Sequence, residues 1–153
     1  MLTSEQIKRE FTYIKALTGN DENYTSNEPF DDHGFFCDVY FKAHKKEILQ
    51  SQIDTYNHFR SNSQSYLNEI ESYMASHLNS YEENNFEKIK ATPLLFDVVD
   101  VPQNNPKYDL VLICGRQYKR LIFFKRGISL RVEFFNRKIK SINRTKYGMT
   151  DND

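Results

Sequence analysis

Four histidines, two cysteines and two close pairs of carboxylates are the residues of this chain whose types could carry chemistry. The histidines are His33, His44, His58 and His77. No HExxH, HxH or Cys-His cluster surrounds them, so the spacing a zinc site needs is missing. Asp31-Asp32-His33 would need a further ligand from elsewhere in the fold to hold a cation, and it reads more simply as a solvated acidic loop. His77 falls one position beside the apolar stripe of its helix, where a boundary role is expected and not that of a base. Cys37 and Cys114 lie inside apolar, strand-like runs. Thiols there are expected to be packed and inert, with raised pKa values, and their spacing suits a reducing cytoplasm. Glu82-Glu83 and Asp97/Asp100 are the carboxylate pairs. Acid–base work needs environments that split two such pKa values, and neighbouring residues alone do not imply one. GxSxG, GxxxxGK[ST] and GxGxxG are absent, and five glycines leave little material for a phosphate cradle. The expectation is a protein without catalysis, metal or cofactor.

The distribution of charge is more informative. The formal net charge of the 153 residues is zero, yet residues 1–87 carry 15 acidic and 7 basic side chains, a net of −8. Residues 88–148 carry 14 basic and 4 acidic side chains, a net of +10. Such asymmetry marks either a surface for an acidic partner or two halves that balance each other. Arg116, Tyr118, Lys119, Arg120, Lys125, Arg126, Arg131, Lys138 and Lys140 are the candidate binding residues. Cations that track phosphates, with rings that stack on bases, are what a single-stranded nucleic acid requires. Against that, no RNP-type motif is present and the overall pI is near 6.9.

The elements that must position these side chains follow from periodicity. Thr3 and Gln6 have capping-box spacing, and Ile7, Phe11 and Ile14 continue a short helix. Residues 18–33 read as an acidic loop. In Gly34–Lys42, Phe35, Cys37, Val39 and Phe41 alternate with polar or aromatic neighbours, as in a strand. Two helices follow. One carries the stripe Leu49, Ile53, Tyr56 and Phe59, and the other Leu67, Ile70, Met74, Leu78 and Tyr81, with a polar break between them. The remainder reads as strands at 89–101, 110–114, 118–125, 128–134 and 138–143, with Asn136-Arg137 as a hairpin turn. Residues 145–153 are a polar tail expected to fray. Helices followed by a run of strands imply an α+β fold: a single domain over 1–153, with a C-terminal antiparallel meander packed on the helices. No apolar run approaches a membrane span, and Met1 to Gln6 has no basic-then-apolar leader.

Tyr108-Asp109-Leu110-Val111, Ile128 to Phe134 and Lys138-Ile139, together with the preceding strand and helix pair, resemble small bacterial α+β proteins of unknown function. Some of these are classed as candidate immunity proteins of polymorphic toxin systems. The resemblance spans roughly residues 34–143 in element order. It implies a non-enzymatic protein that binds and blocks another protein, and it brings no catalytic residues. A nucleic-acid-binding module using the basic C-terminal sheet is the alternative.

Overall fold

The computed structural model describes residues 1–17, 21–29, 36–121 and 124–145. Helix α1 (Ser4–Glu10) starts where the capping spacing places it: Thr3 Oγ1 accepts from the Gln6 amide at 3.2 Å, and Gln6 Oε1 accepts from the Thr3 amide at 3.0 Å. Strands β1 (Thr12–Lys15), β2 (Glu22–Pro29) and β3 (Phe36–Ala43) follow. Next come α2 (Gln50–Ser61) and α3 (Ser63–Ser76), broken at Asn62, and the short α4 (Ser80–Asn84) and α5 (Phe86–Lys90). The chain ends in β4 (Leu95–Val101), β5 (Leu110–Leu121), β6 (Phe124–Phe135) and β7 (Lys138–Thr145). The molecule is therefore α+β, with a predominantly antiparallel sheet. Among the described residues no helix is long and apolar enough to cross a membrane.

The seven strands lie in sequence order, β1 to β7. Every neighbouring pair is antiparallel except β3 and β4. A parallel pair needs a long crossover, and the helices α2 to α5 supply it. Buried Gln52 fastens its start. Its side-chain Nε2 donates to the carbonyls of Lys42 and Val101, both at 2.9 Å, while Oε1 accepts from the Leu49 amide. Thus one buried amide is satisfied by the ends of both parallel strands and the entry to α2.

Alternation divides the sheet. Val39, Phe41, Val99, Val101, Leu112, Leu130, Val132 and Phe134 point to the helices and share one core with Ile7, Ile53, Phe59, Tyr66, Ile70, Met74 and Ile89. A bulge between Phe96 and Val98 lets Phe96 and Val99 both face inward. Ring contacts knit the layers: Phe59 meets Phe96 at 5.3 Å, and Tyr66 meets Phe134 at 4.9 Å, both edge-on. The β6–β7 turn has Asn136 at φ 50° and Arg137 at φ 67°, the left-handed pair expected there.

Several elements depart from the sequence reading. Glu22–Pro29, within the expected 18–33 loop, is a strand; only Tyr24 is buried on it, so it carries no apolar alternation to read. Ile14, expected to continue the first helix, lies instead in β1 and is exposed. Residues 110–121 form one strand, because Gly115 pairs with Ser129 and continues the ladder where a break was expected; the expected strand 118–125 is divided by the β5–β6 turn, so that residues 124 and 125 begin β6. Ile89 belongs to α5, and the extended segment begins only after Pro93, at Leu95. Within α3, Tyr66 takes the buried place that periodicity gave to Leu67, which is half-buried.

Candidate functional site

The face of the sheet turned away from the helices is the candidate surface. Pairing register assembles it in two rows. Asn27, Asp38, Val98, Ile113, Arg131 and Asn143 form one, and Thr25, Tyr40, Asp100, Val111, Glu133 and Ser141 the other. Val98, Val111 and Ile113 make a small apolar stripe outside the main core. Opposed charges surround it. Arg131 Nε lies 3.1 Å from Glu133 Oε1, Ser141 Oγ donates to Glu133 Oε2 at 2.7 Å, and the Arg131 guanidinium sits 5.8 Å from the Tyr108 ring centroid. Asn27 Nδ2 donates to Asp38 Oδ1 at 2.7 Å. Hydrogen bonds from Ser141 and Arg131, with the charges of Arg131 and Lys107, hold the Glu133 carboxyl below its ordinary range.

At the centre of this face is a shallow depression of about 100 Å³, lined by Tyr40, Lys42, Asp100, Val111, Ile113 and Arg131 among others. Asp100 is largely buried there, and burial pushes its pKa up against the opposing pull of Lys42 and Arg131. Its Oδ1, like that of Asn23 across the strand pair from Lys42, is buried with no hydrogen-bond partner among the described residues. Each such unmet acceptor costs about 1–3 kcal/mol.

The nine basic and aromatic candidates do not gather as one patch. Arg116 points to the helix side, is buried, and pairs with Glu71 of α3. Arg131 is on the open face, neutralised by Glu133. Lys138 and Lys140 are exposed on the terminal strand β7. Tyr118 and Lys119 pair with Arg126 and Lys125 in the β5–β6 hairpin, Arg120 falls at its register shift, and the side chains of all five lie outside the described residues.

The remaining chemical candidates sit as follows. Cys37 and Cys114 are buried free thiols, with pKa values pushed up by burial to about 11 and about 12. His77 is exposed and stacks on Tyr73 at 3.9 Å. Asp31-Asp32-His33 lies outside the described residues. Among the described residues no group of three or more His, Cys, Asp or Glu converges as a cation would need. Two carboxylates are more buried than the sequence suggested. Asp100 is one; the other is Glu82, which Arg144 grips with two hydrogen bonds of 3.0 Å and which also caps α4 through the Asn79 amide. Glu82 is thus structural. Neither burial had a sequence signal, because Asp100 and Arg144 come from distant strands that only the register aligns. A larger cavity, about 310 Å³, lies between α2, α3 and the β4–β5 and β6–β7 turns. Its Asp109 is committed to the turn, accepting from the Asn136 amide at 2.8 Å.

Comparison of the chain with protein-family models, with curated proteins and with solved structures returns no match.

Proposed function

We propose that this chain is a non-enzymatic protein-binding protein, an inhibitor of the immunity type, and that it meets its partner through the open face of the sheet. The observation that carries the reading is the alternation on that face of Lys42 and Arg131 with Asp38, Asp100 and Glu133 around the stripe Val98, Val111 and Ile113. A small apolar stripe beside a shallow depression, bordered by both signs of charge, suits a complementary protein surface, where opposed charges set register and reject wrong partners. A polyanion needs one sign. The buried thiols support a cytoplasmic setting.

A photo-crosslinking residue at Ile113, compared with one at exposed Gln64 on α3, tests the reading in host lysate. The expected result is a covalent adduct to one protein from position 113 only, weakened by Arg131→Glu. The activity of that protein should fall when the chain is added. Equal labelling from both positions would remove the open face from the proposal.

The nucleic-acid alternative has its own support in the exposed Lys138 and Lys140 and in the basic composition of residues 88–148. Fluorescence anisotropy with labelled single-stranded and duplex oligonucleotides separates the two. We expect binding no tighter than ~10⁻⁴ M at physiological salt. Micromolar binding that weakens about tenfold or more with salt, and is lost when Arg131, Lys138 and Lys140 are reversed to Glu, would make the alternative the better reading.

A further inference from the structure

Between α3, α5 and the base of the β5–β6 hairpin lies a cavity of about 330 Å³ on the helix side of the sheet, away from the proposed docking face. Its walls are aliphatic where Met74, Leu78, Ile89 and Ile128 meet. One buried cation lines it. Arg116 is only 8% exposed, yet it carries a full charge in an apolar setting. Glu71, whose side chain is 43% exposed, takes one Nη2 hydrogen bond, while the Arg116 Nε–H has no partner among the described residues. A buried cationic donor with an open valence beside an apolar cavity calls for an anionic acceptor.

Of the charged side chains that line the cavity, Arg116 and Lys90 are cationic and Glu71 is anionic. Lys90 of α5 also lines the cavity, its Nζ 5.8 Å from the Phe86 ring centroid. Two cations against one carboxylate favour an anionic ligand. The volume lies at the lower end of small-molecule sites, on the order of 300–1,000 Å³. Asn68 and Ser72 also line the cavity, and its aliphatic part favours an alkyl chain.

We propose that this cavity binds an aliphatic monocarboxylate, its head on Arg116 and Lys90 and its chain against Met74, Leu78, Ile89 and Ile128. Glu71 is the internal competitor: it holds the guanidinium in the empty protein and turns toward water when the ligand carboxylate arrives.

The test is an amide-resolved NMR titration of the full chain with decanoate below its aggregation concentration, alongside decanol and a peptide ending in a free leucine carboxylate. Decanoate should shift Ala75, Ile89 and Ile128 saturably, and decanol should bind at least about tenfold more weakly, the loss of one charge-assisted contact. Arg116→Gln should weaken decanoate about tenfold or more, and Glu71→Gln should tighten it by removing the competitor. Ala75→Phe, at an exposed position that lines the cavity, should block it and serves if Arg116→Gln does not fold. Equal affinity for decanoate and decanol would overturn the proposal, as would undiminished binding to a folded Arg116→Gln or Ala75→Phe variant. Binding of the peptide without decanoate would overturn the free-acid assignment and give the cavity to a protein C-terminus.

Discussion

The two faces of the sheet are built from alternate residues of the same strands and obey different constraints. On β5, Leu110 and Leu112 enter the helix-covered core, while Val111 and Ile113 form the stripe of the open face. On β6, Leu130, Val132 and Phe134 go inward, and Arg131 and Glu133 outward. The covered face is fixed by packing with α2, α3 and α5, so its central side chains are apolar and enclosed, while Arg116 and Arg144 on the same face pair with the helix carboxylates Glu71 and Glu82. The open face is fixed by cross-strand pairing: Arg131 with Glu133, Ser141 with Glu133, Asn27 with Asp38. It also holds two unmet acceptors, on Asn23 and Asp100, while the covered side holds one unmet donor, at Arg116 Nε. The enclosed apolar rows of one face specify the fold, and the unmet acceptors of the other are ones a partner can relieve.

The sharpest way to break this contrast is to truncate neighbours on opposite faces. Leu112→Ala should cost roughly 2–5 kcal/mol, because the side chain is wholly enclosed and the cavity cannot collapse. Ile70→Ala on α3, equally enclosed, should fall in the same range of about 2–5 kcal/mol. Ile113→Ala should cost about 1 kcal/mol, since its side chain is already partly in water. Urea unfolding of the three variants measures this directly. Equal losses for Leu112 and Ile113 would mean that something covers the open face in the isolated chain.

Thiol chemistry sharpens the description of the covered face. Burial raises Cys37 to about 11 and Cys114 to about 12. Near neutral pH their thiolate fractions should make alkylation about a hundredfold or more slower than for an exposed cysteine, with Cys114 the slower. Denaturant should bring both to the ordinary rate. Fast labelling of either in native protein would place it at a mobile or open part of the sheet.

How far the sequence revealed this architecture depends on which face an element serves. Strands with an enclosed row, such as Cys37-Val39-Phe41 and Leu130-Val132-Phe134, alternate visibly because their inward residues must be apolar. The helix stripes are legible for the same reason. Strand β2 sends only Tyr24 to the core and Asn23, Thr25 and Asn27 to the open face, so nothing in its composition distinguishes it from a loop. The α+β class was accordingly readable while the first two strands were not. The candidate cations were identifiable as residues but not as a surface. Arg116 and Arg131 differ by their parity on two paired strands, and that parity depends on a register set by the hairpin. Asp100 gave no signal because its neighbours Lys42 and Arg131 come from β3 and β6.

The smallest effect tests the open face most specifically, because two of its carboxylates should respond to pH with opposite sign. Burial raises the folded pKa of Asp100 above its unfolded value. The folded state then keeps that proton longer, so the contribution of Asp100 to stability is full below the ordinary aspartate pKa, about 3.9, and is lost as pH rises toward the folded value. Glu133 is the reverse. Ser141 and Arg131 lower its folded pKa, so its contribution is present above the ordinary glutamate pKa, about 4.3, and is lost as pH falls through the folded value. Urea midpoints between about pH 3 and pH 7 for Asp100→Asn and Glu133→Gln, each against the parent, isolate the two groups. The Asn variant should gain on the parent as pH rises, since it never places a charge in the depression. The Gln variant should fall behind over the same range, since it gives up the charge-assisted bonds from Arg131 and Ser141. If both differences run in the same direction, Asp100 is solvated and paired like Glu133, and the open face holds no buried charge for a partner to relieve.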